Sequence, residues 1–307
     1  MATSSRNGAS GGDSTCRIVR TSDGRALACC EVGNPSGPLL LHNHGGPSSR
    51  LEAMLFAEAA RRHALRFVCV DRPGIGRSDP QHDRTYEGWA RDLVAVADAL
   101  GHERFGVSGW SEGGPWALAA AAYIPPSRLV HVTSVAGGSY GAFGDNWAAD
   151  RLSKADRLGG FLALHFEPGF KLMYATLGLA AERFGASYMK SLEKSVGDYD
   201  RAVLQRPGVE SAFLAASAEC FAQGSEGLVR DAELLYRHWA FNVAAIARPV
   251  HLWQGSADML VEPFINETIA TRMPGAVWHP VNGAGHFVAV AEADAILAVA
   301  ARELAVP

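Results

Sequence analysis

Three kinds of side chain in this sequence could together open and close a covalent bond to an acyl group. They are a serine between glycines, a histidine in a glycine-rich loop and an aspartate just after an apolar run. A serine hydroxyl is a poor nucleophile until a base removes its proton during attack, and imidazole titrates in the useful range. A carboxylate on the far side of the ring then fixes its tautomer and stabilises the cation that forms. The serine must also stand clear of its own backbone, which a sharp strand-to-helix turn achieves when small residues sit two before and two after it. Gly109-Trp110-Ser111-Glu112-Gly113 has that spacing, and so does Gly137-Gly138-Ser139-Tyr140-Gly141.

The surrounding elements choose between the two. An apolar run at 104–108 leads into Ser111, and an alanine-rich helical stretch at 116–123 follows, with Gly113 and Gly114 small enough to pack closely on a sheet. Ser139 is followed by Gly141, Gly144 and Asp145, which begin no helix cleanly, so it reads as a flexible strand exit.

Along the chain, 17–20 and 26–32 read as two strands of a hairpin turning at Asp23-Gly24. Strand-like runs then alternate with helical ones: 39–41, 51–63, 67–70, 86–100, the Ser111 segment and 129–135. Ile124-Pro125-Pro126 ends the alanine-rich helix because proline has no N–H to donate. The rhythm stops at residues 140–239, which are helical in period and read as an inserted cap. It resumes with 250–253, 262–272, 277–281 and 291–304. Strands alternating with helices imply an α/β fold whose mostly parallel sheet is covered on both faces. The expected organisation is a tail at 1–14, a core of 15–139 with 240–307, and the cap between.

With these segments placed, the sequence resembles the α/β-hydrolase superfamily over nearly all its length after the tail. His44-Gly45-Gly46-Pro47 is similar to that family's oxyanion-loop motif, and Asp71-Arg72-Pro73-Gly74-Ile75-Gly76-Arg77-Ser78 to its segment after the fourth strand. The resemblance implies an α/β-hydrolase fold in which the backbone N–H groups of Gly46 and Glu112 form the oxyanion hole. It also points to His286, in Gly283-Ala284-Gly285-His286-Phe287, as the base. His286 follows both other members in the order serine, acid, histidine. His251 and His279 fall inside strands and read as packing residues. Asp258, after the 250–253 run, is the favoured acid; Asp145 is the alternative position, and the plain reading of Asp258 is a helix cap.

The implied reaction is hydrolysis of a carboxylic ester, thioester or lactone through an acyl-enzyme on Ser111, with no cofactor and no metal. His42 and His44 could be put forward as a metal pair, but no further ligand cluster with zinc-like spacing accompanies them. Family epoxide hydrolases and dehalogenases carry aspartate at the nucleophile position, where this chain has Ser111. Proline iminopeptidases share His44-Gly45-Gly46-Pro47 but depart at Asp71-Arg72-Pro73, and carbon-carbon bond hydrolases usually follow the histidine with tryptophan, where Phe287 stands. Acyl transfer, cofactor-free haloperoxidase chemistry, a proline-iminopeptidase-like aminopeptidase activity and ligand reception on the same triad stay open. Trp110 is a candidate substrate contact, and cap aromatics such as Phe161, Phe170, Tyr174 and Phe213 suggest a small substrate with an apolar group.

A net charge of -4 without a basic run gives no field for a phosphate backbone, which argues against nucleic acid. Charged residues interrupt every apolar run before it could span a bilayer. Five cysteines without CxxC spacing fit a reducing cytoplasm, and a homodimer is one option for assembly.

Overall fold

The computed structural model describes residues 15–306. The tail expected at 1–14 lies outside them. Eight strands form one sheet: β1 (Thr15–Arg20), β2 (Ala26–Gly33), β3 (Leu39–Asn43), β4 (Arg66–Val70), β5 (Phe105–Trp110), β6 (Leu129–Val135), β7 (Val250–Gly255) and β8 (Ala276–Val281). Their order is β1-β2-β4-β3-β5-β6-β7-β8. The first two pairings are antiparallel and the rest parallel. The hairpin turns where Asp23-Gly24 predicts it, with Gly24 at φ +88°.

Helices α1 (Ala57–Arg62), α2 (Tyr86–Ala99) and α3 (Gly114–Tyr123) follow β3, β4 and β5 in turn, and a 3-10 turn at Arg50–Phe56 precedes α1. Beyond β6 come α4 (Lys154–His165), α5 (Glu167–Arg183), α6 (Gly185–Ser195), α7 (Asp198–Leu204), α8 (Val209–Glu219) and α9 (Glu226–Tyr236), then β7. The chain closes with α10 (Pro263–Arg272), β8, α11 (Val288–Ala291) and α12 (Ala293–Leu304). This is the α/β-hydrolase fold.

The central strands are apolar on both sides because helices cover both faces. β3 and β4 are buried at every position. Cys29 joins the core on one face and Cys30 that on the other, as their adjacency on a strand requires.

Two boundaries move. β5 continues to Trp110 instead of ending at Ser108, because the sheet must carry the chain up to the serine. The C-terminal helix expected at 291–304 is preceded by the short α11, which opens directly after Phe287.

Candidate active site

Parallel strands bring their carboxyl ends to one edge, and the chemistry-bearing residues gather there. Ser111 follows β5 at φ +54°, a left-handed conformation that ordinary side chains rarely adopt. It persists because the turn is over-determined on both sides. A side chain at Gly109 would overlap the carbonyl of Gly113, and one at Gly113 would overlap that of Asn43. A methyl on Gly114 would come within 2.6 Å of the Gly137 Cα, so α3 packs directly on the strand exit.

His286 lies after β8 in the loop that opens α11, 4% exposed. Its Nδ1 donates to Asp258 Oδ2 at 2.9 Å, and Asp258 is itself 6% exposed. Asp258 Oδ1 accepts the backbone N–H groups of Leu260 and Val261, each at 2.9 Å, so the residue caps a turn and orients the imidazole at once. Gln254 Nε2 donates to Oδ2 at 3.0 Å, and Gln254 Oε1 accepts from Asn266 Nδ2 at 2.6 Å. Burial disfavours the imidazolium, but the charge and hydrogen bond of Asp258 outweigh it and raise the His286 pKa.

The Ser111 hydroxyl makes no hydrogen bond among the described residues, and Ser111 is half-buried. Trp110 ties the serine turn to the histidine loop: its Nε1 donates to the His286 carbonyl at 3.0 Å, with the two rings 5.7 Å apart. Trp110, the candidate substrate contact, is buried here. Its indole is 2% exposed and packs on Phe287 and Phe213, because the last residue of a doubly covered strand points into a covered face.

The loop 44–47 crosses in front of Ser111. A Cβ at Gly45 would lie 3.4 Å from the Ser111 Cβ, and one at Gly46 would fall on the Glu112 carboxylate. Neither the Gly46 nor the Glu112 N–H has an acceptor among the described residues. Glu52, 1% exposed, braces the loop by accepting from Gly45 N at 3.1 Å and His42 Nε2 at 2.9 Å. His42 Nδ1 pairs with Ser108 Oγ at 2.8 Å, and His44 Nδ1 with the Gly45 carbonyl at 2.8 Å, so both histidines hold the loop.

Asp145 is exposed and accepts the His238 N–H at 2.6 Å, apart from His286. Ser139 is fully buried, its carbonyl taken by Trp147 Nε1 at 3.0 Å. Phe170 and Tyr174 are buried while Phe161, Phe166 and Phe184 are exposed, so the aromatics between β6 and β7 divide between packing and surface.

Sequence reasoning passed over Asp200 on α7, whose carboxylate accepts the backbone N–H groups of His286 at 3.0 Å and Phe287 at 2.8 Å. No local motif announces a residue that serves a loop 86 positions away. His251 and His279, read as packing residues, also form a polar ladder with His131 and Glu303. Glu303 accepts from His131 at 2.7 Å and His251 at 2.9 Å. His131, His251 and Glu303 are metal-ligand types, and their ligand atoms lie within 4.8 Å of one another. Thr133 and His279 complete the outer nitrogens at 2.8 Å each, so protons alone satisfy the cluster.

Three comparisons bear on this geometry. A family model described as alpha/beta hydrolase fold matches residues 38–293. A comparison with curated protein sequences returns no match. Among solved structures, a bromoperoxidase from Bacillus anthracis superposes with a TM-score of 0.68 at 15% identity, covering 94% of this chain and 100% of its own. An esterase from Thermogutta terrifontis gives 0.63 at 19%, covering 95% and 97%. Epoxide Hydrolase A from Mycobacterium thermoresistibile gives 0.64 at 20%, covering 94% and 98%. These likenesses share a fold among three differently named activities, so the reaction is argued from the site.

Proposed function

Since the chain belongs to the α/β-hydrolase fold family, we propose that it is a serine hydrolase cleaving a carboxylic ester, thioester or lactone through an acyl-enzyme on Ser111. The observation that carries this reading is the strained serine at the end of β5, its hydroxyl unengaged. Beside it the Trp110 indole holds the histidine loop, and an aspartate orients the imidazole.

Ser111 Oγ attacks the acyl carbon while His286 Nε2 takes its proton, and the carbonyl oxygen becomes an oxyanion. The N–H groups of Gly46 and Glu112 receive that charge, each worth about 3–4 kcal/mol by comparison with oxyanion-hole substitutions elsewhere. Collapse breaks the bond to the leaving alcohol, which departs with the proton from His286. Water then gives a proton to His286, attacks the acyl-enzyme and releases the acid, and the proton returns to Ser111. The cap, cytoplasmic location and apolar acyl or alcohol group read from the sequence belong to this same proposal. Among the described residues, no helix is long and apolar enough to cross a membrane.

The test is labelling by a neutral fluorophosphonate together with turnover of short and medium p-nitrophenyl esters. Ser111→Ala is expected to abolish both, and Ser139→Ala to leave both in place. Labelling of the wild-type protein without turnover would instead point to a receptor, and labelling that survives Ser111→Ala would overturn the assignment.

A further inference from the structure

Glu112 occupies a position where a negative charge is costly. Its N–H has no acceptor among the described residues, and its side chain folds back over Gly46, so that a methyl added there would coincide with the carboxylate. An anion at this point repels the oxyanion that the reaction must form. The protein does little to cancel it. Glu112 Oε1 receives only the Tyr174 hydroxyl, at 3.4 Å, and Oε2 is buried without a hydrogen-bond partner among the described residues.

The nearby guanidinium of Arg72 is committed elsewhere. Its Nε donates to Asp231 at 2.5 Å, and its two terminal nitrogens to the carbonyls of His44 and Gly45 at 2.6 and 3.3 Å. Asp231 and Asp156 add further negative charge around the site, and burial pushes the Glu112 carboxyl up to about 7 despite Arg72. The group is therefore poised to take a positive partner from outside.

Resting on the serine-hydrolase reading, we propose that the Glu112 side chain binds a primary ammonium on the acyl part of the substrate, making esters of amino acids the substrate class. An amine on the carbon next to the carbonyl lies within contact distance of the carbonyl oxygen, and Glu112 offers its N–H and its carboxylate from one residue. The ammonium donates to the two carboxylate oxygens, giving Oε2 the partner it lacks. Cancelling the charge removes the repulsion on the oxyanion, so the cation assists the acylation step as well as binding. An N-acylated or deaminated ester brings no charge and forfeits both effects.

The experiment compares L-alanine benzyl ester with benzyl isobutyrate, in which a methyl replaces the ammonium. Rates at pH 7 are taken per site titrated by a neutral fluorophosphonate. The expected preference in kcat/KM for the alanine ester is ~30-fold or more, the scale of one charge-assisted contact. In Glu112→Gln the ratio is expected to fall to within about threefold. L-alaninamide is expected to slow labelling of the wild-type serine while isobutyramide does not, a readout that needs no turnover. Equal rates for the two esters, a preference for the neutral one, an unchanged ratio in Glu112→Gln, or equal protection by the two amides would each overturn the ammonium site. A protein that does not label at all fails at the serine-hydrolase reading, and the ammonium proposal falls with it.

Discussion

At the scale of single residues, the imidazole of His286, as the proposed base, is expected to set how the rate follows pH. Asp258, Asp200 and Glu52 all lend it negative charge, and its pKa is raised although burial pulls the other way. A base must be unprotonated to accept the serine proton, so kcat/KM for a neutral ester should climb with pH, with a midpoint above the ordinary histidine value. Asp258→Asn removes the main counter-charge and is expected to shift that limb downward, while cutting kcat by on the order of 10⁴ through loss of the correct tautomer. A pH–rate profile of both proteins checks the two effects together. An unmoved limb would mean that Asp258 does not set the basicity of His286.

At the scale of elements, the loop before α11 depends on a helix far from it in sequence. Asp200 on α7 receives the backbone N–H groups of His286 and Phe287, and a side chain on Gly285 would overlap its carboxylate. Asp200→Asn keeps the shape but leaves one of those donors without its acceptor, which costs roughly 1–3 kcal/mol when buried. Urea unfolding should register that loss. The kcat/KM should fall about tenfold if the loop loses its place, on the usual conversion of 1.4 kcal/mol to a factor of ten. The same case shows where sequence reading stops. Strand runs such as 39–41 and 129–135 are legible because a doubly covered sheet demands unbroken apolar residues. Ser111 and Gly113 are legible because a strained turn demands small neighbours at fixed offsets. Asp200, Glu52 and Glu112 carry no such periodicity. Their partners are set by tertiary packing, and an acidic side chain looks the same in sequence whether it meets water or a buried N–H.

On the scale of the whole molecule, ion pairs fasten α8 and α9 to the segments that follow β3 and β4. Asp231 on α9 lies between Arg72 at 2.5 Å and Arg84 at 2.9 Å, all three at most 2% exposed. Glu219 on α8 meets Arg50 at 2.8 Å, and Arg50 in turn meets Asp71 at 2.7 Å. Asp231→Asn strips one acid from two buried cations and is expected to cost ~3–5 kcal/mol, readable as a lower denaturation midpoint. A change under 1 kcal/mol would show that water reaches the pair. These ties also limit how the molecule can breathe. The indole at position 110 donates to the carbonyl at 286, which ties the serine turn to the histidine loop, and α7, α8 and α9 are each bonded to that pair of loops or to their neighbours. From the helices α4 to α6, Tyr174 reaches Glu112 with its hydroxyl at 3.4 Å, and Met189 packs in the same core cluster as Trp110 and Phe287.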